Sequence, residues 1–509
     1  MSNVLVVDVG TQSMRGIIFD EHGNLLCKEQ VKYKPYLSKE NGYMEQNPDM
    51  YGDVLFDILR AICDKYPELV ADVVAMSVDT FRDTVVLLDE HNVPVRNAIL
   101  WSDQRLADVS KKLPAKQRFL FKLVGMDRAI RAIRRKTKTR WVQQNEPEVW
   151  AKVIKVVHIS AYLNYLIVGR LCDSYASTMG HLPFDNKGKK WMSKSSLLYP
   201  VFDLDLETVQ IPLCAPGDVM GTVTEQAAAR SGLPAGLKLI ASGSDKGCET
   251  LGVGCLDRQS ASISFGTSSS VQFSTDKYFE PEPFMPAYPS VFKGYYNPEV
   301  QIFRGYWMIS WFKKNFAEHL NKVAEQQGRS VEDVMNEEIA SIPAGCDGLV
   351  LQPFWQGGLT APEARGAIIG FSDFHTRAHV YRAIIEGIDF ALREGLERME
   401  RRGKQKIKYI SVSGGGSQSD LICQIAADIF NRPVRRVQTY ETSGLGAAIV
   451  TFVATGVYDD VHEAIREMVH YKDTFTPNPA NAAVYDDIYK NTYLKLYGKL
   501  QQFYLRLDK

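Results

Sequence analysis

Cysteine is sparse and scattered. The chain has eight, at Cys27, Cys63, Cys172, Cys214, Cys248, Cys255, Cys346 and Cys423, and no two form a CxxC pair. A structural zinc site wants close Cys or His pairs, so none is expected, and reduced thiols in a cytoplasmic protein are the plain reading. The nine histidines contain no HExxH. No apolar run approaches the roughly 18 residues that suggest a membrane span. The opening MSNVLVVDVG has no basic segment, and Asp8 interrupts its only apolar run, which argues against a secretory signal. Neither sign of charge is in excess: 60 Lys and Arg balance 60 Asp and Glu. A general nucleic-acid binder would show a basic surplus, so nucleic acid is not an expected partner.

What is present is a 509-residue chain with 45% apolar residues, enough for two large domains or about three smaller ones. Val4–Val9 reads as a buried strand, Gly10-Thr11-Gln12-Ser13 as a small-polar turn, and Met14–Phe19 as a second strand. The pattern returns at Ser262–Phe265, Gly266-Thr267-Ser268-Ser269 and Val271–Phe273. The second turn lies half a chain from the first, which predicts a duplicated architecture with domains 1–254 and 255–509. Helical periodicity marks 51–65, 150–167 and 379–402, and strands are expected at 73–78, 85–88, 237–242 and 407–413. The class is α/β with mixed sheets.

Both small-polar turns suit phosphate, because glycine admits close approach and successive N–H groups can donate to oxygens. An ordinary hairpin turn is the alternative for each. The first lies between strands and lacks the GxxxxGK[ST] pattern of a P-loop. Asp8 ends a buried strand just before its turn, where a carboxylate needs donors or a cation; Mg²⁺ with its waters would serve, and so would an Asx cap. Asp245 stands at a strand-to-helix junction, as a general base or as part of a helix cap shared with Ser244. Gly414-Gly415-Gly416, with Ser419 just before a helix at about 420, offers a flat, donor-rich surface at a helix N-terminus. The small-residue run 442–448 admits either a ligand or a close helix contact. Arg82-Asp83 and Trp101-Ser-Asp103-Gln-Arg105 could bind vicinal hydroxyls and stack on a sugar, or form surface ion pairs. The basic stretch 128–140 reads as a solvated helix face, or as a contact for an acidic sugar or sugar phosphate.

Taken in order, these segments resemble the FGGY carbohydrate kinases, a family that includes glycerol kinases, xylulokinases, ribulokinases and gluconate kinases. The carriers are VDVGTQSMRGIIFD at 7–20, GYMEQNP at 42–48, WSDQR at 101–105, SGSDKGCETLGVGC at 242–255 and SFGTSSS at 264–270. RAIIEG at 382–387, SGGGSQSDLICQIAADIFNRPV at 413–434 and ETSGLGAA at 441–448 continue the series. The resemblance implies two actin-like, ribonuclease H-like ATPase domains with an interdomain cleft. It implies ATP- and Mg²⁺-dependent phosphorylation of a small sugar, ketose or polyol, xylulokinase-like as the best single match, with Asp245 as catalytic base. Gly10, Thr11, Gln12, Ser13 and Arg15 then fall on a first phosphate loop, and Asp8 lies near the metal. Gly266 and Thr267 fall on a second phosphate loop, and Gly414, Gly415, Gly416 and Ser419 on the adenosine side. Arg82, Asp83, Trp101, Asp103 and Arg105, with Asp245, fall on the acceptor sugar. The oligomeric state is left open by the sequence, although a homodimer is common among similar proteins. The chain departs from family patterns at Ser242-Gly-Ser-Asp-Lys246, where many members have GGGDQ, and at Ile133, where glycerol kinases carry an aromatic substrate contact. Two readings from other classes remain open: a chaperone- or filament-type ATPase without a sugar substrate, and a degenerate sugar-binding sensor.

Overall fold

The computed structural model describes residues 2–110, 112–283, 285–358 and 361–507. The chain divides into two units. The first comprises Met1–Gly254, Pro286–Asn297 and Glu441–Val469, and the second Cys255–Met285, Pro298–Tyr440 and His470–Lys509.

The first unit is built on six strands: β1 (Asn3–Val9), β2 (Ser13–Asp20), β3 (Leu25–Lys32), β4 (Val73–Thr80), β5 (Val219–Thr222) and β6 (Lys238–Ile240). Their order is β3-β2-β1-β4-β6-β5. β1 is buried along its whole length, as a central strand covered on both faces must be, hence its unbroken apolar run. Helix Pro48–Lys65 lies against this sheet. Asn47 caps it by accepting the Asp49 N–H, Pro48 opens it, and Val54, Leu55, Ile58, Leu59 and Ile62 form its buried face. A Cβ at Gly16 of β2 would stand 2.5 Å from Ile58 and Ile62, so the bare backbone is what lets the helix seat.

The second unit contains β7 (Ser260–Phe265), β8 (Ser269–Gln272), β9 (Glu299–Ile302), β10 (Tyr409–Ser413), β11 (Val434–Val437) and β12 (Tyr471–Phe475), in the order β9-β8-β7-β10-β11-β12. The two sheets match pairing for pairing. From the hairpin edge inward, β2/β3 and β1/β2 are antiparallel, β1/β4 and β4/β6 parallel, and β6/β5 antiparallel. In the second unit β8/β9 and β7/β8 are antiparallel, β7/β10 and β10/β11 parallel, and β11/β12 antiparallel. Each small-polar turn joins the first two strands of its sheet. This is the actin-like, ribonuclease H-like architecture, present twice.

Most expected elements are found, including the long helix Arg377–Gly403 with its Arg393–Glu397 ion pair at 2.9 Å. One assignment is corrected. The helix expected over 150–167 is a strand, Lys155–His158, followed by helix Ile159–Val168. The strand pairs with Val85–Leu88 from Val85↔His158 to Leu88↔Lys155, so a long-range partner overrides local periodicity. The basic stretch is not one solvated face either. Arg128, Arg131 and Arg135 are exposed, whereas Arg134, Lys138 and Arg140 are buried around a break at Thr137.

Helix Asp245–Gly252 crosses helix Thr442–Ala454 backbone to backbone. A Cβ at Gly252 would lie 2.0 Å from the Thr442 carbonyl oxygen, and one at Gly446 1.8 Å from that of Cys248. Close helix packing thus accounts for the small residues at 442–448. Gly446→Val should cost about 3 kcal/mol, the upper range for overpacking a core. An unchanged urea midpoint would contradict the contact.

Candidate active site

Parallel strands β1, β4 and β6 bring three carboxylates to one edge of the first sheet, at their carboxyl ends, where open α/β sheets place their ligands. Asp8 and Asp79 are register partners on β1 and β4. Asp245 follows β6 as the first residue of helix Asp245–Gly252. The segment between is anchored by the Ser242 hydroxyl, which donates to the Val78 carbonyl at 2.8 Å, and by a bridge between Thr80 and Ser244.

The capping question is answered by Ser244, whose hydroxyl accepts the Gly247 N–H at 3.2 Å. Asp245 Oδ1 accepts only the neighbouring Lys246 N–H, at 2.7 Å, among the described hydrogen bonds, which leaves Oδ2 for other work. Burial pushes its carboxyl up to about 6, against the pull of Lys246 and Arg82. Asp8 is also raised by burial, opposed by Arg15, whose Nη1 lies 2.8 Å from its Oδ2. Arg15 faces Asp8 across the hairpin and also meets Glu441, at 3.4 Å, and Lys28 meets the same carboxylate at 2.8 Å. Asp79 is raised well above the ordinary carboxylate range by burial and by the charges of Asp8 and Asp245. Among the described residues no N–H group donates to its oxygens, and its hydrogen-bonding neighbour is the Asp8 carboxylate.

The first turn is held from outside. The Gly10 carbonyl accepts the Tyr33 hydroxyl, and the Gln12 carbonyl accepts the Tyr33 N–H at 3.1 Å. The Gly10 N–H donates to the Ser13 carbonyl at 2.9 Å, and the Ser13 hydroxyl accepts from Gln30 at 3.0 Å. Trp101 Nε1 donates to the Thr11 hydroxyl at 3.0 Å, tying the WSDQR segment to this turn.

The remaining residues of the two polar pairs are engaged with protein groups. Asp103 Oδ1 accepts the Arg105 backbone N–H and Nε, and Oδ2 accepts Arg105 Nη2 and the Met44 N–H. Arg105 further meets Glu45 at 2.8 Å and lies over the rings of Tyr43 and Trp141. This is a buried clamp, not a surface ion pair. Asp83, at φ +55°, accepts the His181 N–H at 3.0 Å and lies 2.9 Å from His181 Nδ1 and 2.8 Å from Lys138 Nζ. Burial opposes ionisation of Asp83, yet His181 and Lys138 hold it well below the usual carboxylate range. Arg82 lies over the Tyr288 ring, 5.0 Å from its centroid, close enough to Asp245 to lower its pKa. Ile133 packs with the apolar cluster of Leu113, Phe121, Met126 and Ile130.

In the second unit, Gly266 and Thr267 form the β7–β8 turn. Gly414, at φ +80°, leaves β10 beside it: a Cβ there would stand 2.9 Å from the Phe265 carbonyl. Gly415 faces open space. Ser419 caps helix Asp420–Phe430 through the Ile422 N–H at 3.4 Å.

Sequence reasoning missed Asp79, His181 and Tyr33, and it singled out the stretches holding Glu441 and Lys138 without giving either residue its partner. Asp79 carried the same signal as Asp8, a carboxylate at the end of a buried strand. The others are brought in by tertiary contact alone.

Duplicated actin-like sheets with carboxylates gathered at the strand ends define a two-domain sugar-kinase type of ATPase fold. The family model "FGGY family of carbohydrate kinases, N-terminal domain" matches residues 3–252, and its C-terminal counterpart matches residues 261–455. The chain belongs to the FGGY family of carbohydrate kinases. It is 30% identical to a xylulose kinase of Lactococcus lactis subsp. lactis over 96% of this chain and 95% of that protein. A gluconokinase of Bacillus licheniformis is 24% identical over 95% of this chain and 93% of its own length. Among solved structures, a ligand-bound xylulose kinase from Lactobacillus acidophilus superposes with TM-score 0.82 at 22% identity, covering 100% of both chains. Among the described residues, no helix is long and apolar enough to cross a membrane.

Asp103→Ala leaves Arg105 buried with part of its counter-charge gone, and breaking such a pair costs roughly 3–5 kcal/mol. Denaturant unfolding should show a loss of that size; a shift under about 1 kcal/mol, the scale of an exposed pair, would mean that the clamp is not buried in solution.

Proposed function

We propose that the chain phosphorylates a hydroxyl of a small sugar at the expense of ATP, with a xylulose-like ketose as the best single acceptor and Asp245 as the general base. One observation carries the assignment: a buried carboxylate, relieved of capping by Ser244, stands at the carboxyl ends of the parallel strands with its pKa pushed up to about 6. A base tuned towards neutrality takes a hydroxyl proton more readily than an ordinary aspartate. The full-length likeness to xylulose kinases supports the acceptor class.

The residues divide by role. Asp245 accepts the proton of the attacking hydroxyl. Arg82, beside Asp245, and the Trp101 ring contact the acceptor, while Asp83, Asp103 and Arg105, whose charges are met by protein groups, fix the shape of its surroundings. Thr11, Gln12 and Ser13 donate to phosphate oxygens, with Gly10 admitting the close approach while its own N–H closes the turn onto Ser13, and Gly266 and Thr267 serve likewise in the second turn. Gly414, Gly415 and Gly416 take the adenosine side, with Ser419 shaping the helix start beyond them. Arg15 pairs with Asp8 and opposes the effect of its burial.

Among the described residues, no three His, Cys, Asp or Glu side chains are grouped to cage a metal ion. Mg²⁺ rarely needs such a cage, since it keeps waters and binds one or two carboxylates together with phosphates. Asp8, with the Asp79 carboxyl beside it on the neighbouring strand, fits that mode. When bound there, Mg²⁺ would neutralise charge on the transferring phosphates.

Asp245→Asn should lower kcat on the order of a hundredfold or more, as loss of a general base does, with ADP affinity little changed. Near-normal turnover by the folded variant, followed by ADP release with D-xylulose, refutes the assignment. The base works only when ionised. With its pKa near 6, kcat/KM should be level above about pH 7 and fall tenfold per unit below about pH 6. A profile flat to pH 4.5 would exclude this carboxyl.

A further inference from the structure

The segment Gly305-Tyr306-Trp307 belongs to none of the motifs above, yet it touches both glycine turns of the second unit. The Tyr306 N–H donates to the Gly266 carbonyl at 3.0 Å, and the Trp307 N–H donates to the Thr267 carbonyl at 3.2 Å. In a trans peptide the C=O and the following N–H point in opposite directions. Pinning these two carbonyls therefore turns the N–H groups of Thr267 and Ser268 away from the segment, as a pair of donors with a common orientation. Gly305 makes the approach possible, since a Cβ there would lie 2.1 Å from the Ser269 hydroxyl.

The Tyr306 ring does the second half of the work. Its centroid is 5.1 Å from that of Phe265, the last residue of β7. It also lies directly under the other turn: a Cβ on Gly416 would stand 2.3 Å from Tyr306 Cε1. One flat side chain thus fills the space between Phe265 and Gly416 while its own backbone holds Gly266. The hydroxyl is buried and has no hydrogen-bond partner among the described residues, so the ring, not the oxygen, makes these contacts.

We infer that Tyr306 is a positioning residue for nucleotide binding: it couples the Gly266–Ser269 turn to the Gly414–Gly416 turn and aims the amides of the former at an anion. The inference rests on the reading that these two turns hold ATP. It has a parallel in the first unit, where Tyr33 pins the carbonyls of Gly10 and Gln12.

Calorimetric titration with ADP and Mg²⁺ separates the two ideas. Gly415→Glu puts a negative charge into open space beside the turn. It should weaken ADP at least tenfold; unchanged affinity means that the turns do not hold nucleotide, and both ideas fall. Tyr306→Leu should also weaken ADP tenfold or more, and Tyr306→Phe should restore affinity to within about twofold of the unaltered protein. If Gly415→Glu is impaired while folded Tyr306→Leu binds ADP normally, the coupling is refuted and the nucleotide assignment survives. Loss in Tyr306→Phe equal to that in Tyr306→Leu would equally refute the ring's role. Hydrogen exchange on the unaltered protein decides the matter if Tyr306→Leu fails to fold. The amides of Tyr306 and Trp307 should gain protection when ADP binds, and equal exchange with and without ADP overturns the proposal.

Discussion

The first unit depends on two helices meeting without side chains between them. Gly252 and Gly446 let helices Asp245–Gly252 and Thr442–Ala454 touch backbone to backbone. The second of these helices also lies on β1 and β4, the strands that carry Asp8 and Asp79. Its preceding residue, Glu441, reaches Arg15 and Lys28 on the hairpin. One close crossing therefore fixes the height of Asp245 over the sheet and ties the hairpin arginine to the same helix. A methyl group in that contact would move the proposed base relative to the strands.

A cluster of buried carboxylates is costly, and the structure shows how the cost is distributed. Arg15 keeps Asp8 paired, Lys246 and Arg82 partly offset the burial of Asp245, and Asp79 between them is pushed strongly towards its neutral form. Like charges at short range cannot all ionise in a dry site. Such tension is common where a site awaits a cation or a transferring phosphoryl group. Among the described residues, the turn of the second unit has serines, Ser264 and Ser413, paired where the first unit has Asp8 and Asp79. There the constraint is geometric, with Gly414 and Gly416 leaving no room for a side chain beside Phe265 and Tyr306.

The region proposed for the acceptor is arranged differently. Two of the acidic residues that looked available for sugar hydroxyls, Asp83 and Asp103, have oxygens engaged by protein donors. They set the shape of the region and leave Arg82 and Trp101 nearer the role of contacts. The buried Lys138 belongs to this scaffold too, as one of the partners that keep Asp83 ionised, whereas Arg140 turns to the Val201 carbonyl and Asp203.

Much of this was legible in order along the chain. The apolar run of β1, the turn at Gly10 and its echo at Gly266 pointed to a repeated hairpin, because strand, turn and strand are encoded locally. Asp245 was visible as a polar interruption at a strand-to-helix junction. Register was not visible: nothing local says that Asp79 stands beside Asp8, that Lys155–His158 pairs with Val85–Leu88 instead of continuing a helix, or that Tyr306 packs under Gly416. Those outcomes depend on which distant segment supplies the hydrogen bonds and the van der Waals surface. A chain can announce its strands, turns and glycines by itself, but the partners of a buried charge or a bare backbone are chosen only when the sheets close.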